Sequence, residues 1–310
     1  MVKRNILITG GAGNVGGSLA TRLCLNPANN VVVVDNLFTG SLEKLPNNAL
    51  NNFSFFKTDV NNWKDISSIM LSHRFDYVFH YAATVGVKRT LDNPILVLND
   101  IDGIKNILEL SKNTGVKRVF FSSSSEVYGE PVSLPQHEET TPLNSRLPYA
   151  IVKNVAEAFL KSYQKEYGLN YTILRFFNTY GPKQSEDFVL PRFLTAALNN
   201  QPITLYGDGS QTRTFCFITD NLDITEEMLN ADIGINDTFN IGSDEEISIL
   251  ELAKKVIDVC NSKSEIIHLP SLKEGDMTRR LPDISKMKSI LNRELITIEQ
   301  GIKKMLDNQK

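Results

Sequence analysis

Over the first half of the chain, short apolar runs alternate with longer stretches in which apolar residues recur every three or four positions. The runs fall at residues 6–9, 31–34, 53–57, 77–79, 119–121 and 171–174. They are rich in β-branched and aromatic residues and nearly continuous in apolar character. A strand buried on both faces has this pattern, which belongs to a parallel sheet covered by helices on each side. Helical periodicity fills the intervals at 17–25, 63–71, 95–114 and 149–167. Strand and helix in alternation predict an α/β protein, a doubly wound parallel sheet of the Rossmann kind.

After residue 178 the rhythm breaks. Turn-rich segments appear at 178–182 (NTYGP) and 206–210 (YGDGS). Helical patterns follow at 190–199, 221–229, 249–259 and 284–291, with only short strands between. The expectation is a sheet domain over residues 1–177 and a smaller mixed α/β cap over 178–310, packed on the C-terminal edge of the sheet. A late strand or helix is allowed to return to the first domain.

Composition narrows the class. A chain of 310 residues buries a full core without disulfide or metal staples. Its 33 Lys+Arg against 36 Asp+Glu leave a formal charge of −3, which argues against a generic nucleic-acid binder. The three cysteines are too few and too widely spaced for a disulfide framework or a zinc site, and Cys24 reads as a packing thiol. No apolar stretch approaches membrane-spanning length, and the Met1-Val2-Lys3-Arg4 start carries no secretory pattern. A soluble cytoplasmic protein is expected, with neither nucleic acid nor membrane as partner and no metal.

The first strand runs into TGGAGNVGG at 9–17, and a helix follows. Gly10, Gly13 and Gly16 have the spacing of a loop that turns tightly, lets backbone approach a pyrophosphate, and packs helix on strand. The helix N-terminus then offers unpaired N–H groups and a partial positive charge. The second strand ends at Asp35, about 20 residues beyond the glycines, where a carboxylate accepts hydrogen bonds from both adenosine ribose hydroxyls. It repels a 2′-phosphate, and no arginine stands nearby to welcome one, so NAD is the expected cofactor. Asp59 and Val60 follow the third strand at the place where adenine would lie.

The fifth strand leads into SSSSEVYG at 122–129, and PYAIVK at 148–153 opens a helix. Serines at the C-terminal end of a parallel strand lie where open α/β sheets bind ligands. Tyr149 and Lys153 are four apart and share a helix face. A phenol titrates at about 10 and is a poor base at neutral pH. A neighbouring Lys⁺ and a positive nicotinamide ring are expected to pull that value down, making Tyr149 a proton acceptor for a hydroxyl under oxidation.

Together these motifs resemble the extended short-chain dehydrogenase/reductases that modify nucleotide sugars. The likeness covers essentially the whole chain: TGGAGNVG, Asp35, HYAA at 80–83, SSSSEVYG, PYAIVK, RFFNTYGP at 175–182, YGDGSQTR at 206–213 and RLPD at 280–283. It implies Ser124 as the catalytic serine, Tyr149 as the base, and Lys153 as its partner, which also holds the nicotinamide ribose. Glu126 is an acid/base helper in some relatives and a structural carboxylate in others. Further cofactor contacts are expected at Asn14, Val15, Asn36, Gly40, Tyr81, Ala82, Ala83, Asn99, Ser122, Ser123 and Phe176. For the substrate, a nucleoside-diphosphate sugar on UDP or GDP, the resemblance implies Asn178, Val85, Val189, Tyr206 and Gln211. Arg213 and Arg280 match a pair that grips the diphosphate, because a planar guanidinium suits phosphate oxygens. One departure is visible: the usual Asn-x-x-Gly-Thr reads Asp100-Ile101-Asp102-Gly103-Ile104, with Asn99 beside it. Relatives pair two long helices into a dimer, so a homodimer is expected through 95–114 and 149–167.

Members divide by the fate of a 4-keto sugar. A 4,6-dehydratase carries an acid where Ser125 stands, which disfavours dehydration. UDP-glucuronate decarboxylases share Ser-Glu-Val-Tyr-Gly and a QTR followed by an aromatic-Cys pair, close to residues 211–217. The segment TVGVKRT at 84–90 departs from the decarboxylase loop, and Pro148-Tyr149-Ala150 is more epimerase-like. Lys88 and Arg89 are candidates to grip a carboxylate or a phosphate. Oxidation at C4 completed as 4-epimerisation is the expectation. Decarboxylation, or a dehydrogenase that stops at the ketone, is the alternative, and a non-catalytic dinucleotide sensor is the alternative of another class. His80 reads as a satisfied buried histidine, and residues 136–139 as a surface loop.

Overall fold

The computed structural model describes residues 3–47, 49–270 and 279–307. Six strands rise where the apolar runs predict them: β1 (Arg4–Thr9), β2 (Asn29–Asp35), β3 (Phe53–Lys57), β4 (Tyr77–His80), β5 (Arg118–Ser124) and β6 (Asn170–Phe176). Between them lie α1 (Asn14–Cys24), α2 (Trp63–His73), α3 (Val87–Asp92), α4 (Pro94–Leu98), α5 (Asp100–Thr114) and α6 (Pro148–Tyr167). The predicted helix 95–114 is in fact α4 and α5, jointed at Asn99, and α3 precedes them. Asn93 before Pro94 leaves helical geometry, as a residue preceding proline does, and separates α3 from α4.

The later elements are β7 (Thr179–Tyr180), α7 (Val189–Leu198), β8 (Ile203–Tyr206), β9 (Thr212–Thr214), β10 (Cys216–Phe217), α8 (Ile218–Asn230), β11 (Asp237–Ile241), β12 (Glu246–Ser248), α9 (Ile249–Cys260), β13 (Ile266–Leu269), α10 (Ser285–Leu291) and α11 (Ile298–Asp307). The central sheet runs β11-β6-β5-β4-β1-β2-β3, parallel at every pairing. The element that returns is therefore β11, which extends the sheet beside β6. Three two-stranded ribbons, β7 with β10, β8 with β13 and β9 with β12, build the remainder. The C-terminal α11 follows no sequence expectation.

Each face of the sheet carries its own core. On one side Ile6, Ile8, Val31, Val33 and Phe79 pack under α1 and continue into the cap. On the other, Leu7, Val32, Val78, Val119 and Ile173 pack under α2, α5 and α6. Both sets are buried, which accounts for the unbroken apolar runs. Cys24 joins the first core, and burial raises its thiol to about 11. Among the described residues, no helix is long and apolar enough to cross a membrane.

Candidate active site

The strand order reverses between β1 and β4, and above that point the structure opens into a cleft of about 560 Å³. Gly10, Gly13, Asn14, Val15 and Gly16 form its floor. Gly10 has φ +67°, and a Cβ there would sit 2.6 Å from the Ala82 amide nitrogen. Helix α1 has Gly13 as its N-cap with no side-chain cap, so the first-turn N–H groups stay open to a ligand. The buried Asn14 Oδ1 has no hydrogen-bond partner among the described residues. A cradle that a Cβ would fill and the open N–H groups of a positive helix end fit a pyrophosphate. Gly10→Ala is expected to weaken NAD binding at least about tenfold in a fluorescence titration, since it adds both a left-handed strain and a backbone clash.

Asp35 receives the Ala12 amide at 3.0 Å and the Leu37 amide at 2.8 Å, fixing its carboxylate at the end of β2. Asn36, Asp59 and Val60 line the cleft beside it, and the Asn36 amide donates to Asp59 at 3.3 Å. Gly40 does not reach the cleft wall. A Cβ on it would meet Asp35 Oδ1 and Ala12 Cβ at 2.8 Å, so it backs the aspartate instead. Lys44 lines the same end, an addition that its sequence context does not betray.

Tyr81, Ala82 and Ala83 continue the wall. The Thr9 hydroxyl accepts both the Tyr81 and Ala82 amides at 3.1 Å and lies 2.9 Å from His80 Nδ1. Burial, assisted by Lys153, holds that imidazole down to about 3, so it is neutral and structural as expected. Phe176 meets Tyr81 edge-on at 5.6 Å. Asn99 is exposed, and the adjacent Asp100 turns inward in its place. The Asp100 carboxylate accepts the Thr84 amide at 2.7 Å and the Asn61 amide at 3.4 Å, and burial raises it above the usual carboxylate value. The family departure noted in the sequence thus places a half-buried carboxylate in the cleft.

Ser122, Ser123, Ser124, Tyr149 and Lys153 converge at the centre. Lys153 donates to the Ser122 carbonyl at 2.6 Å and its ammonium lies 5.7 Å from the Tyr149 ring centre. Burial lowers it to about 8, against the opposing pull of Asp100 and Glu157. The phenol behaves opposite to expectation. Burial and the Glu126 carboxylate push Tyr149 above its usual value, while the Ser124 hydroxyl bonded to it and Arg280 act in the other direction. Desolvation outweighs the Ser124 hydrogen bond and the Arg280 charge.

Arg280 lines the cleft beside Ser125 and Glu126. It is buried, 3.5 Å from Ser125 Oγ and 3.7 Å from Glu126 Oε1, and its Nε has no partner among the described residues. Such long contacts leave donors for an anion. Asn178, with φ +39°, lines the cleft and donates to the Thr214 carbonyl at 2.9 Å. Val85, Arg89 and Val189 also line it. The Lys88 side chain lies outside the described residues. Tyr206, Gln211 and Arg213 are not on the described cleft wall. Arg213 pairs opposite Ile247 in the β9–β12 ladder and folds its guanidinium back onto the Thr212 carbonyl at 2.7 Å, while Gln211 donates to the Tyr206 carbonyl. Of the expected arginine pair, Arg280 lines the cleft among the described residues. Thr84, Asp187 and Phe188 line it without having been singled out in the sequence.

A family model described as the NAD dependent epimerase/dehydratase family matches residues 6–242. The chain belongs to this family. Members of the epimerase/dehydratase family similar to it include a UDP-N-acetyl-alpha-D-glucosaminuronate decarboxylase of Bacillus cytotoxicus, 34% identical over 98% of this chain and 97% of that one. A UDP-glucuronic acid decarboxylase of Arabidopsis thaliana is 35% identical over 98% of this chain and 69% of its own length. The crystal structure of UDP-glucose 4-epimerase with UDP-glucose from Thermotoga maritima superposes with a TM-score of 0.91 at 32% identity, covering 98% of this chain and 97% of that chain. As a member of this epimerase/dehydratase family, the protein is an NAD-dependent enzyme, and the glycine loop, Asp35 and the Ser-Tyr-Lys group are the residues that fit the cofactor and the chemistry.

Proposed function

We propose that the protein oxidises C4 of a UDP-sugar and completes the reaction as a 4-epimerisation. The observation that carries this is the convergence of Ser124, Tyr149 and Lys153 in the cleft that also holds the Gly10–Gly16 loop, with Ser125 rather than an acid beside them. NAD, when bound, supplies a reversible two-electron oxidant. The Ser124 hydroxyl holds the sugar C4 oxygen, Tyr149 takes its proton, and Lys153 fixes the far side of the site through the Ser122 carbonyl. The same Tyr149 returns the proton after the ketone has presented its other face. With a serine at 125, the cleft has no acid at that position to expel a C6 hydroxyl.

Decarboxylation of a UDP-uronic acid is the second reading, and Arg280 favours it. A buried guanidinium with unspent donors, next to Tyr149, suits a C6 carboxylate as well as a phosphate. The decarboxylases among the relatives support it too. Cytoplasmic residence and a homodimer belong to the same proposal, the latter through Ile95, Leu98 and Ile151, which stand exposed on α4 and α6.

The test is incubation with UDP-glucose, UDP-N-acetylglucosamine and their C6-oxidised forms, followed by mass and proton spectra. Unchanged mass with inverted C4 is expected. Loss of carbon dioxide selects the second reading, whereas loss of water, or inertness toward the whole panel, sinks both.

A further inference from the structure

The loop between β7 and α7 crosses from the cap onto the cofactor half, and the group that anchors it there belongs to none of the motifs above. Half-buried Lys183 directs its ammonium at three oxygens: the Lys44 carbonyl at 2.8 Å, the Thr21 hydroxyl at 2.9 Å and the Gly17 carbonyl at 3.2 Å. Three acceptors match the three N–H bonds of an ammonium. Gly17 and Thr21 lie on α1, whose N-terminus floors the cleft. Lys44 lies in the segment that follows Asp35. A Cβ on Gly17 would meet the Lys44 carbonyl oxygen at 2.5 Å, so helix and segment already touch, and Lys183 bonds to a carbonyl on each side of that junction.

The far end of the same loop reaches the ligand. Asp187 pairs with Arg89 of α3 at 3.3 Å, and Phe188, Val189 and Leu190 line the cleft. The Lys44 ammonium, also on the cleft wall, feels both Asp35 and Asp187. One short loop is therefore tied at its start to the two elements that embrace the cofactor, and at its end forms part of the wall on the substrate side.

We propose that Lys183 is a positioning residue that couples NAD binding to nucleotide binding in the cap, by holding this loop against α1 and the Lys44 segment. The second ligand rests on the function proposed above; the first does not. Coupling of this kind is reciprocal, so each ligand tightens the other by the same factor.

NAD is titrated into the full-length protein with and without saturating UDP, for the wild type, Lys183→Met, Lys183→Arg, Thr21→Val and the double variant Thr21→Val/Lys183→Met. In the wild type UDP is expected to tighten NAD. Lys183→Met is expected to weaken NAD about tenfold and to abolish the UDP effect. Lys183→Arg restores both to within about threefold, because its guanidinium keeps donors for the same oxygens. Thr21→Val alone has a smaller effect, and the double variant is no worse than Lys183→Met, since both changes remove one interaction. Unchanged NAD affinity in Lys183→Met overturns the proposal, as does a loss that tracks a fall in Tm and is not rescued by arginine. If UDP leaves wild-type NAD affinity unchanged, the coupling is refuted, while the catalytic function stands or falls separately on the product masses.

Discussion

Tyr149→Phe is expected to lower turnover by about 10²–10⁴-fold while NAD affinity stays within about twofold. The substitution removes one oxygen and keeps the ring, whose centre lies 5.7 Å from the Lys153 ammonium and which packs against the core under α2, α5 and α6. What disappears is the phenol bonded to Ser124 at the centre of the cleft. The rate should also carry the imprint of that phenol's environment. Burial first, and the Glu126 carboxylate second, hold its proton more tightly than water does. Glu126→Gln removes a negative charge, so the phenol loses its proton at lower pH and the ascending limb of the kcat/KM profile moves toward acid. A limb that stays in place would show that Glu126 does not act on Tyr149. Full turnover by Tyr149→Phe would remove the phenol from the mechanism altogether.

Arg175→Met should be the most damaging single change to stability, costing about 3–5 kcal/mol and lowering Tm by on the order of 10 °C in a thermal melt. Arg175 and Glu157 are each 2% exposed by side chain and meet at 2.7 Å. The guanidinium also donates to the Tyr128 hydroxyl at 2.8 Å and to the Glu138 carbonyl at 3.0 Å. Removing it leaves the Glu157 carboxylate buried, with the Ser123 hydroxyl still donating to it at 2.6 Å but without its paired guanidinium. The damage should reach catalysis as well. Glu157 lies one turn beyond Lys153 on α6, and Tyr128 ends the segment that carries Glu126. Replacing both charges, as Arg175→Met with Glu157→Leu, should recover much of the lost Tm, because no unpaired charge is then buried. A single variant with wild-type Tm would mean the pair is dispensable.

Residues 136–139 show where the sequence misleads. Four polar residues in a row look like solvent-facing loop, yet Gln136 is fully buried and Glu138 nearly so. Gln136 accepts and donates backbone hydrogen bonds with Asp283 and Leu281, and Glu138 accepts the Asn240 amide at 2.9 Å. These partners are more than 100 residues away, and no local periodicity encodes them. Strands β1, β2, β4, β5 and β6 were legible for the opposite reason: burial on both faces leaves its mark along each run, whereas the edge strand β3 is mostly exposed and β11 carries no such apolar run. The glycine loop, Asp35 and the Tyr149–Lys153 pair were legible because spacing within one turn or one crossover defines them. Asp100, Lys44 and Lys183 were not, since each acts through elements brought together only by the fold. Gly40 backs Asp35, Asn99 is exposed beside Asp100, and Arg213 holds the Thr212 carbonyl, so position in the sequence alone does not say which residue faces the cleft.

Strand β11 has a consequence for the order in which this protein can be made. On the ribosome, β6 emerges well before β11, and the intervening chain must be synthesised while the β6 edge offers unpaired backbone groups to any strand it meets. The central sheet is thus unfinished until the chain through Ile241 exists. A nascent chain stalled before Asp237 should be captured by chaperones and prone to aggregation, whereas one that has cleared Ile241 can close its sheet.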